Sequence, residues 1–404
     1  MKDISIYNKY LAFNDDALMI EHLYLKSLVK KYKTPFFCYS ANQIKDNYKN
    51  LKGSFKKIKP VICYAVKANF NKKILNLIAK LGLGADVVSK GELEQSINCN
   101  INRKKIVFSG VGKTEDEIIY ALKEDIKQIN VESEEELQDI IRLANNIGKK
   151  VDVSLRLNPD IDPETHSKIS TGRLEDKFGI TEDGINNIFR KYSNDSNLNI
   201  NGISIHIGSQ IKKISPFEKA FKKVRNLVVK LRTMGFKINT IDIGGGIGII
   251  YDKKKDKIFK VSDYANIVEK YFYDLGVEII LEPGRYLVGS SGILISKVVR
   301  IKKGQKKDFL IIDAGMNNLI RPSLYNAVHQ IFPIKKSDTK KKYEVVGPIC
   351  ESSDIFQKDF ELSKLNKDDF LIICSVGAYG SSMASNYNLR DIADEFIIDG
   401  KKIY

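Results

Sequence analysis

The 404-residue chain predicts an α/β fold: a (β/α)8 TIM-like barrel followed by a second, mostly β carboxyl-terminal domain. Two observations carry this. Short β-like runs alternate with longer helical patterns from about residue 35 to residue 282, which is how a parallel sheet with helical crossovers reads. After Pro283 the pattern changes to strand-like runs joined by Gly- and Pro-containing connections, with few helices. Counting about eight strand–helix units favours barrel closure, with a doubly wound sheet as the alternative. The expected division is 31–282 for the barrel and 283–404 for the β domain, with 1–30 packing on the latter.

Taken in order, the runs of the first region are Pro35 to Tyr39, Val61 to Val66, Gly84 to Val88, Ile106 to Ser109, Gln128 to Val131, Val151 to Leu157, Gly202 to Ile207, Thr240 to Ile243 and Glu278 to Leu281. Helical segments such as Glu134 to Ile147 and Pro216 to Met234 lie between them. The second region carries Ile293 to Ile301, Asp308 to Ile312, Tyr343 to Val346, Phe370 to Ile373 and Glu395 to Ile398. The chain shows no internal repeat and no low-complexity linker.

Composition narrows the classes of function. The formal net charge is +16, but the lysines are scattered or in short runs such as Lys253-Lys254-Lys255, without interleaved aromatics or a nucleic-acid motif. A solvated basic surface that attracts anionic small molecules is the expectation, and a nucleic-acid partner is not. The five cysteines (Cys38, Cys63, Cys99, Cys350 and Cys374) form no CxxC pair, which argues against a disulfide framework or a metal site. No stretch approaches a membrane span and the amino terminus lacks the apolar region of a signal peptide, so a cytoplasmic location is expected, with no membrane partner.

Lys67 ends the apolar run Val61 to Val66. At a strand's carboxyl end it is expected to be partly desolvated, which favours the neutral, nucleophilic amine. Catalytic groups of a barrel gather at such strand ends, and three other unusual sequences occupy equivalent places. His206 closes Ser204-Ile205-His206. Gly244-Gly245-Gly246 follows Thr240 to Ile243. Glu282-Pro283-Gly284-Arg285 follows Glu278 to Leu281. Three glycines permit close backbone approach and an anion-binding concavity, and Arg285 adds a planar fork of donors, so the two suggest a phosphate site. A flat imidazole can stack on an aromatic cofactor, and a carboxylate can pair with a ring nitrogen. A lysine, a phosphate cradle, a carboxylate and a stacking ring together describe a pyridoxal phosphate site.

Read as motifs, these stretches resemble the alanine-racemase-fold (fold type III) pyridoxal phosphate decarboxylases, and within them the diaminopimelate decarboxylases, over nearly the whole chain. The likeness rests on Tyr64-Ala65-Val66-Lys67-Ala68-Asn69, Ala85 to Leu93, Arg156-Leu157-Asn158-Pro159, Thr165-His166 to Phe178-Gly179, His206 to Gln210, Asp242 to Gly246 and Glu282 to Arg285. The second half adds Asp313 to Asn317, Arg321-Pro322-Ser323-Leu324-Tyr325, Gly347 to Ser352, Gly377 to Gly380 and Met383 to Asn388. Lys90 stands where many relatives carry a second glycine, and Ser381 where an aromatic is commoner; neither departure removes a catalytic group.

The resemblance implies roles. Lys67 would hold pyridoxal phosphate as a Schiff base, His206 would stack on its ring, and Glu282 would contact the pyridine nitrogen. Ser209, Gly244, Gly245, Gly246 and Tyr379 would hold the phosphate, and Gly284 would also contact the cofactor. Arg285, Arg321, Tyr325, Glu351 and Tyr379 would grip the substrate, with Arg285 shared between phosphate and substrate carboxylate. Cys350 and Glu351 would reach in from the partner subunit of a homodimer with shared active sites, and Cys350 or Lys67 would return the proton to Cα. No metal is implied. The implied reaction is decarboxylation of meso-2,6-diaminopimelate to L-lysine and CO2, the last step of lysine biosynthesis. The alternatives are a decarboxylase of another diamino acid (carboxynorspermidine or ornithine type), an amino-acid racemase of the same fold, and a non-catalytic pyridoxal phosphate carrier.

Overall fold

A computed structural model describes residues 4–163, 165, 168, 171–173 and 175–404; His166, part of one quoted motif, lies outside them. The chain divides into two compact units, one of residues 48–248 and 258–284, the other of residues 1–47, 249–257 and 285–404.

In the first unit, eight parallel strands close into a barrel. They are β1 (Val61–Ala65), β2 (Gly84–Val87), β3 (Ile106–Phe108), β4 (Gln128–Val131), β5 (Val151–Arg156), β6 (Leu198–Ser204), β7 (Thr240–Asp242) and β8 (Glu278–Leu281). Each pairs with its neighbours in sequence, and β8 returns to β1 through Ile280 opposite Val61. β2, β3 and β4 are buried at every position, as strands packed on both faces must be. The helices cover the barrel by their apolar stripes. Glu134–Asn146 buries Leu137, Ile140, Leu143 and Ala144, spaced to share one face. Its start is set by Ser133, whose side chain accepts from the Glu136 amide, and three glutamates follow in the first turn, where the helix dipole favours negative charge. Replacing Ser133 with Ala would cost about 1 kcal/mol.

The apolar run expected to be a strand over Gly202 to Ile207 instead forms β6 over Leu198–Ser204. Its neighbours end at Arg156 and Asp242, opposite Ser204, so the paired register stops there, with the Ile205 amide making one last bond to the Asp242 carbonyl. The last three residues of the run are thereby freed to turn over the barrel mouth.

The run Pro35 to Tyr39, expected to open the barrel, does not join it. Phe36–Ser40 lies in the second unit, antiparallel to Gly292–Lys303 and parallel to Asp394–Asp399. All five of its residues are buried. A strand covered on both faces has no polar alternation to say which sheet it belongs to. The barrel consequently opens at Val61, and the boundaries expected at 31 and 283 fall at 48 and 285.

The second unit's sheet runs Ile355–Ser363, Lys340–Val346, Asp308–Ile312, Gly292–Lys303, Phe36–Ser40, Asp394–Asp399, Lys402–Ile403. Phe370–Cys374 also pairs with Gly292–Lys303 and carries Ile331–Pro333. Its core joins Leu11, Leu18, Ile20 and Leu25 from the amino terminus to Phe36, Ile293, Ile295, Ile372 and Ile398. Among the described residues, no helix is long and apolar enough to cross a membrane.

Candidate functional site

In the barrel unit the chemistry-bearing side chains gather at the carboxyl ends of the strands. Lys67 lies on one turn of 3-10 helix, Val66–Ala68, directly after β1. Its Nζ is 2.5 Å from Oδ2 of Asp86 in β2, a carboxylate with no solvent exposure. The lysine, expected to be partly desolvated at the strand's end, is also held by a buried counter-ion. The other oxygen of Asp86, Oδ1, is buried without a hydrogen-bond partner.

Two further carboxyls lie beside this pair. Asp242 ends β7 and Glu282 follows β8. Asn130 of β4 donates Nδ2 to both, at 3.1 Å and 3.3 Å, and also to Ser109 Oγ at 3.0 Å. The two carboxyls share a hydrogen bond. Burial, then the charges of Asp242 and Asp86, push Glu282 well above the usual carboxylate range. Burial also raises Asp242, but the hydrogen bond from Glu282 works the other way there. Glu282 therefore carries the shared proton and Asp242 accepts it.

His206 follows β6, and its Nδ1 accepts from the Gly245 amide at 3.2 Å. The backbone amide can only donate, so in the neutral ring the proton sits on Nε2. Burial, then the charges of Arg156 and Lys67, hold the imidazole well below its ordinary range, so it is neutral at pH 7. Its backbone is pinned by Arg156, whose Nη2 donates to the His206 carbonyl at 3.4 Å. Arg156 also pairs with Glu132 at 2.5 Å, both side chains nearly buried, and stacks over Phe178. Glu132 accepts from the Gly179 amide at 2.9 Å, so one ion pair ties β4, β5, the turn after β6 and the Phe178–Gly179 loop together.

The three glycines are only partly available as an anion cradle. The Gly244 amide is engaged by Asp242 Oδ1 at 3.0 Å and that of Gly245 by His206, which leaves Gly246. A phosphate held by all three amides is not what the geometry provides. Gly245 has a packing reason instead: a Cβ there would stand 2.3 Å from the Glu282 carbonyl oxygen. Ser209 lies between the left-handed Gly208 and Gln210 in the turn after His206, and Gly284 packs its α-carbon against Ala65 and Ala68.

In the second unit, two buried arginines gather around Tyr251. Arg285 donates Nη1 to the Tyr251 hydroxyl at 2.6 Å and lies 4.8 Å over the Tyr379 ring. Arg321 stacks on Tyr251 at 4.5 Å and contacts His329. Tyr379 occupies the left-handed region at φ 55°, a costly place for a side chain and one often found at binding sites. Tyr325 ends the short helix Arg321–Tyr325. Cys350 and Glu351 are not part of this cluster. They sit on an exposed turn, where Asn388 Oδ1 accepts from the Cys350 amide, while Ser353 and Tyr387 hydrogen-bond Glu351.

Several members were missed by sequence reasoning. Asp86 lies within a quoted motif, yet received no role; a charged residue inside an otherwise apolar strand was the available signal. Asn130, Asp242, Glu132 and Arg156 are likewise polar residues at strand ends, where the groups that build a barrel site gather. Tyr251 and His329 carried no local signal, because what matters about them is their meeting with Arg321.

Comparison with known proteins adds the following. Residues 41–289 match the family described as "Pyridoxal-dependent decarboxylase, pyridoxal binding domain". The chain is 42% identical over 404 residues, all of it and 96% of the relative, to a diaminopimelate decarboxylase of Aquifex aeolicus. Among solved structures it is similar to diaminopimelate decarboxylase from Helicobacter pylori complexed with L-lysine (TM-score 0.91, 43% identity, covering 94% of this chain and 95% of that one). It is also similar to diaminopimelate decarboxylase from M. jannaschii in co-complex with L-lysine (TM-score 0.94, 38% identity, 99% and 95%).

Proposed function

Because the chain belongs to the pyridoxal-dependent decarboxylases, in the family of the diaminopimelate decarboxylases, we infer that it is a pyridoxal phosphate-dependent carboxy-lyase that converts meso-2,6-diaminopimelate to L-lysine and CO2. The barrel residues fit that cofactor. Asp86, Asp242 and Glu282 are three buried carboxyls, the ammonium of Lys67 pairs with Asp86 alone of the three, and Asp86 Oδ1 lacks a partner among the described residues. Such a set favours a cationic ring nitrogen. Pyridoxal phosphate, when bound, supplies the electron sink that lets the α-carbon lose CO2.

The chain's own residues do the rest. Lys67 supplies the amine that holds the cofactor. Asp86 keeps that amine oriented and stabilises its charged form whenever it is displaced. Glu282, which burial holds toward its protonated form, would pass that proton to a neutral ring nitrogen, leaving a carboxylate against the cation so formed. Asn130 then holds the resulting carboxylate. His206, neutral and fixed by Gly245, offers a flat face for stacking. Gly246, Ser209 and Tyr379 bind the phosphate. Arg285 serves the phosphate or the substrate carboxylate, and Tyr325 lines the substrate.

The observation that carries the substrate assignment is Arg321. It is 5% exposed, its Nε has no hydrogen-bond partner, and among the described residues no carboxylate pairs with it. A buried guanidinium without an anion calls for one from outside the chain. Diaminopimelate has a carboxylate remote from the reacting carbon and ornithine has none, so Arg321 attracts the first and repels the distal ammonium of the second. Glu351 is the partner for the distal ammonium. The exposed turn of Cys350 and Glu351, hydrogen-bonded to Asn388 and Tyr387 beside the 95% exposed Leu389, supports a homodimer in which each subunit lends this turn to the other's active site. The enzyme is cytoplasmic on this reading.

The test is product analysis. Purified protein with pyridoxal phosphate is incubated with meso-diaminopimelate and, in parallel, with ornithine. Stoichiometric lysine and CO2 from the first alone is the expected result. Putrescine from ornithine without lysine would overturn the substrate assignment, and no product from either would overturn the enzyme reading.

A further inference from the structure

We propose that His329 is the positioning residue for Arg321: a buried imidazole whose single acceptor nitrogen takes one arm of the guanidinium and so presents its remaining N–H groups to the distal carboxylate of the substrate. The proposal deepens the assignment of Arg321 above and rests on it.

The hydrogen bonds of His329 allow one arrangement. Its ring is 1% exposed. Nδ1 lies 2.8 Å from the Cys374 carbonyl oxygen, which can only accept, so Nδ1 carries a proton. Nε2 lies 2.7 Å from Arg321 Nη1, which can only donate, so Nε2 is bare. One neutral tautomer satisfies both contacts. A second proton on the ring would set two donors and two positive charges against each other. Burial, then the charge of Arg321, hold the imidazole well below its ordinary range, which keeps that tautomer in place.

The mount is rigid. The His329 carbonyl accepts from Gln357 Nε2 at 2.5 Å, and the Cys374 amide donates to Gln330 O at 2.9 Å, so the imidazole is fixed to Phe370–Cys374 and Ile355–Ser363 on both sides. The Tyr251 ring meets the His329 ring edge-on at 5.1 Å and 79° and lies under the Arg321 guanidinium. Tyr251 is in turn held by Arg285. The guanidinium thus has its plane set by Tyr251 and its rotation about that plane set by His329. Nε is left buried and unsatisfied, and an incoming carboxylate relieves that cost.

The experiment separates the two ends of the imidazole. In His329→Gln the amide reaches the Nε2 position and can accept from Arg321. In His329→Asn it reaches only the Nδ1 position and can bond the Cys374 carbonyl. Steady-state kinetics on the holoenzyme with meso-diaminopimelate are expected to show KM within about threefold of wild type for the Gln variant. For the Asn variant, KM should rise about tenfold or more with kcat little changed, the pattern of lost uniform binding. In an Arg321→Ala background, His329→Asn should raise KM no further. If Asn rescues as well as Gln, or if the effect persists without Arg321, His329 is structural and the proposal is wrong. A third measurement needs neither variant stability nor turnover. The chain has four histidines, so the 15N-histidine spectrum of wild-type holoenzyme is tractable. A neutral ring protonated on Nδ1 is expected for His329, and protonation of Nε2 would overturn the proposal. Wild-type enzyme that forms no lysine would sink the functional reading alone, since the nitrogen spectrum tests the imidazole without substrate.

Discussion

Replacing Glu132 with Ala removes one half of the buried ion pair that spans four strand ends and loops of the barrel mouth. The two side chains are 9% and 3% exposed, so the Arg156 charge that remains cannot be rescued by water. Breaking a pair of this kind from one side costs about 3–5 kcal/mol. The Gly179 amide, 2.9 Å from Glu132, also loses its acceptor, which adds about 1 kcal/mol. For a barrel of this size the sum corresponds to a fall in Tm of roughly 8–24 °C. Glu132→Gln fills the same space and keeps one acceptor oxygen for Arg156, but sets its NH2 against the Gly179 amide, so it loses the charge and one hydrogen bond and its fall should be smaller than that of Ala. Thermal unfolding followed by circular dichroism, with urea midpoints alongside, measures both variants. A loss below about 1 kcal/mol for Glu132→Ala would place the pair with ordinary surface ion pairs and refute the argument from burial.

Three further predictions follow from the same geometry. Glu282→Gln is expected to retain cofactor absorbance while cutting lysine formation about 100-fold or more, because it removes charge aimed at the ring nitrogen; near-normal turnover would refute the role given to Glu282. Glu92 is pushed up to about 7, chiefly by burial, so its native state favours the neutral acid. That contribution to stability is complete at low pH and is lost as pH rises from the ordinary carboxylate range through about 7, so Glu92→Gln should gain up to about 3 kcal/mol on wild type at pH 8 and little at pH 4.5. Parallel stability profiles for the two proteins would contradict this. Cys350 is exposed while Cys38, Cys63, Cys99 and Cys374 are buried, so native iodoacetamide labelling should report Cys350 alone. Labelling should slow as protein concentration rises and subunits associate; a rate independent of concentration up to the micromolar range would count against the shared turn.

Much of the barrel was legible because its strands are short, continuous apolar runs separated by helices with clear caps, such as Ser133 ahead of Glu134–Asn146. Two local features misled. Phe36–Ser40 reads like a barrel strand because full burial looks the same in either sheet, and β6 could not be given its true end without knowing where β5 and β7 stop. In the second unit, the strands Leu11–Asn14 and Ile355–Ser363 were not read, since the first is only four residues long and the second carries the polar run Gln357-Lys358-Asp359 in its middle. At the site, the residues at strand ends that stand out by type (Lys67, His206, Glu282) were nameable from sequence. Asp86, Asn130 and Asp242 needed the closed barrel, which brings them from strands far apart in the chain. His329 needed the hydrogen-bond directions of both ring nitrogens, and no sequence pattern encodes those.

The pairing of Phe36–Ser40 has a consequence for how the chain is made. Its parallel neighbour is Asp394–Asp399, so a strand that leaves the ribosome as residues 36–40 waits for residues 394–399 before one side is covered. At ordinary elongation rates that interval is roughly 20 to 70 s. Through it, five buried-type residues present an unpaired edge, the kind of surface on which nascent chains cross-pair. Any stop codon upstream of residue 394 makes that interval permanent. Loss of Asp394–Asp399 should therefore show itself first as insolubility, before any question of catalysis arises.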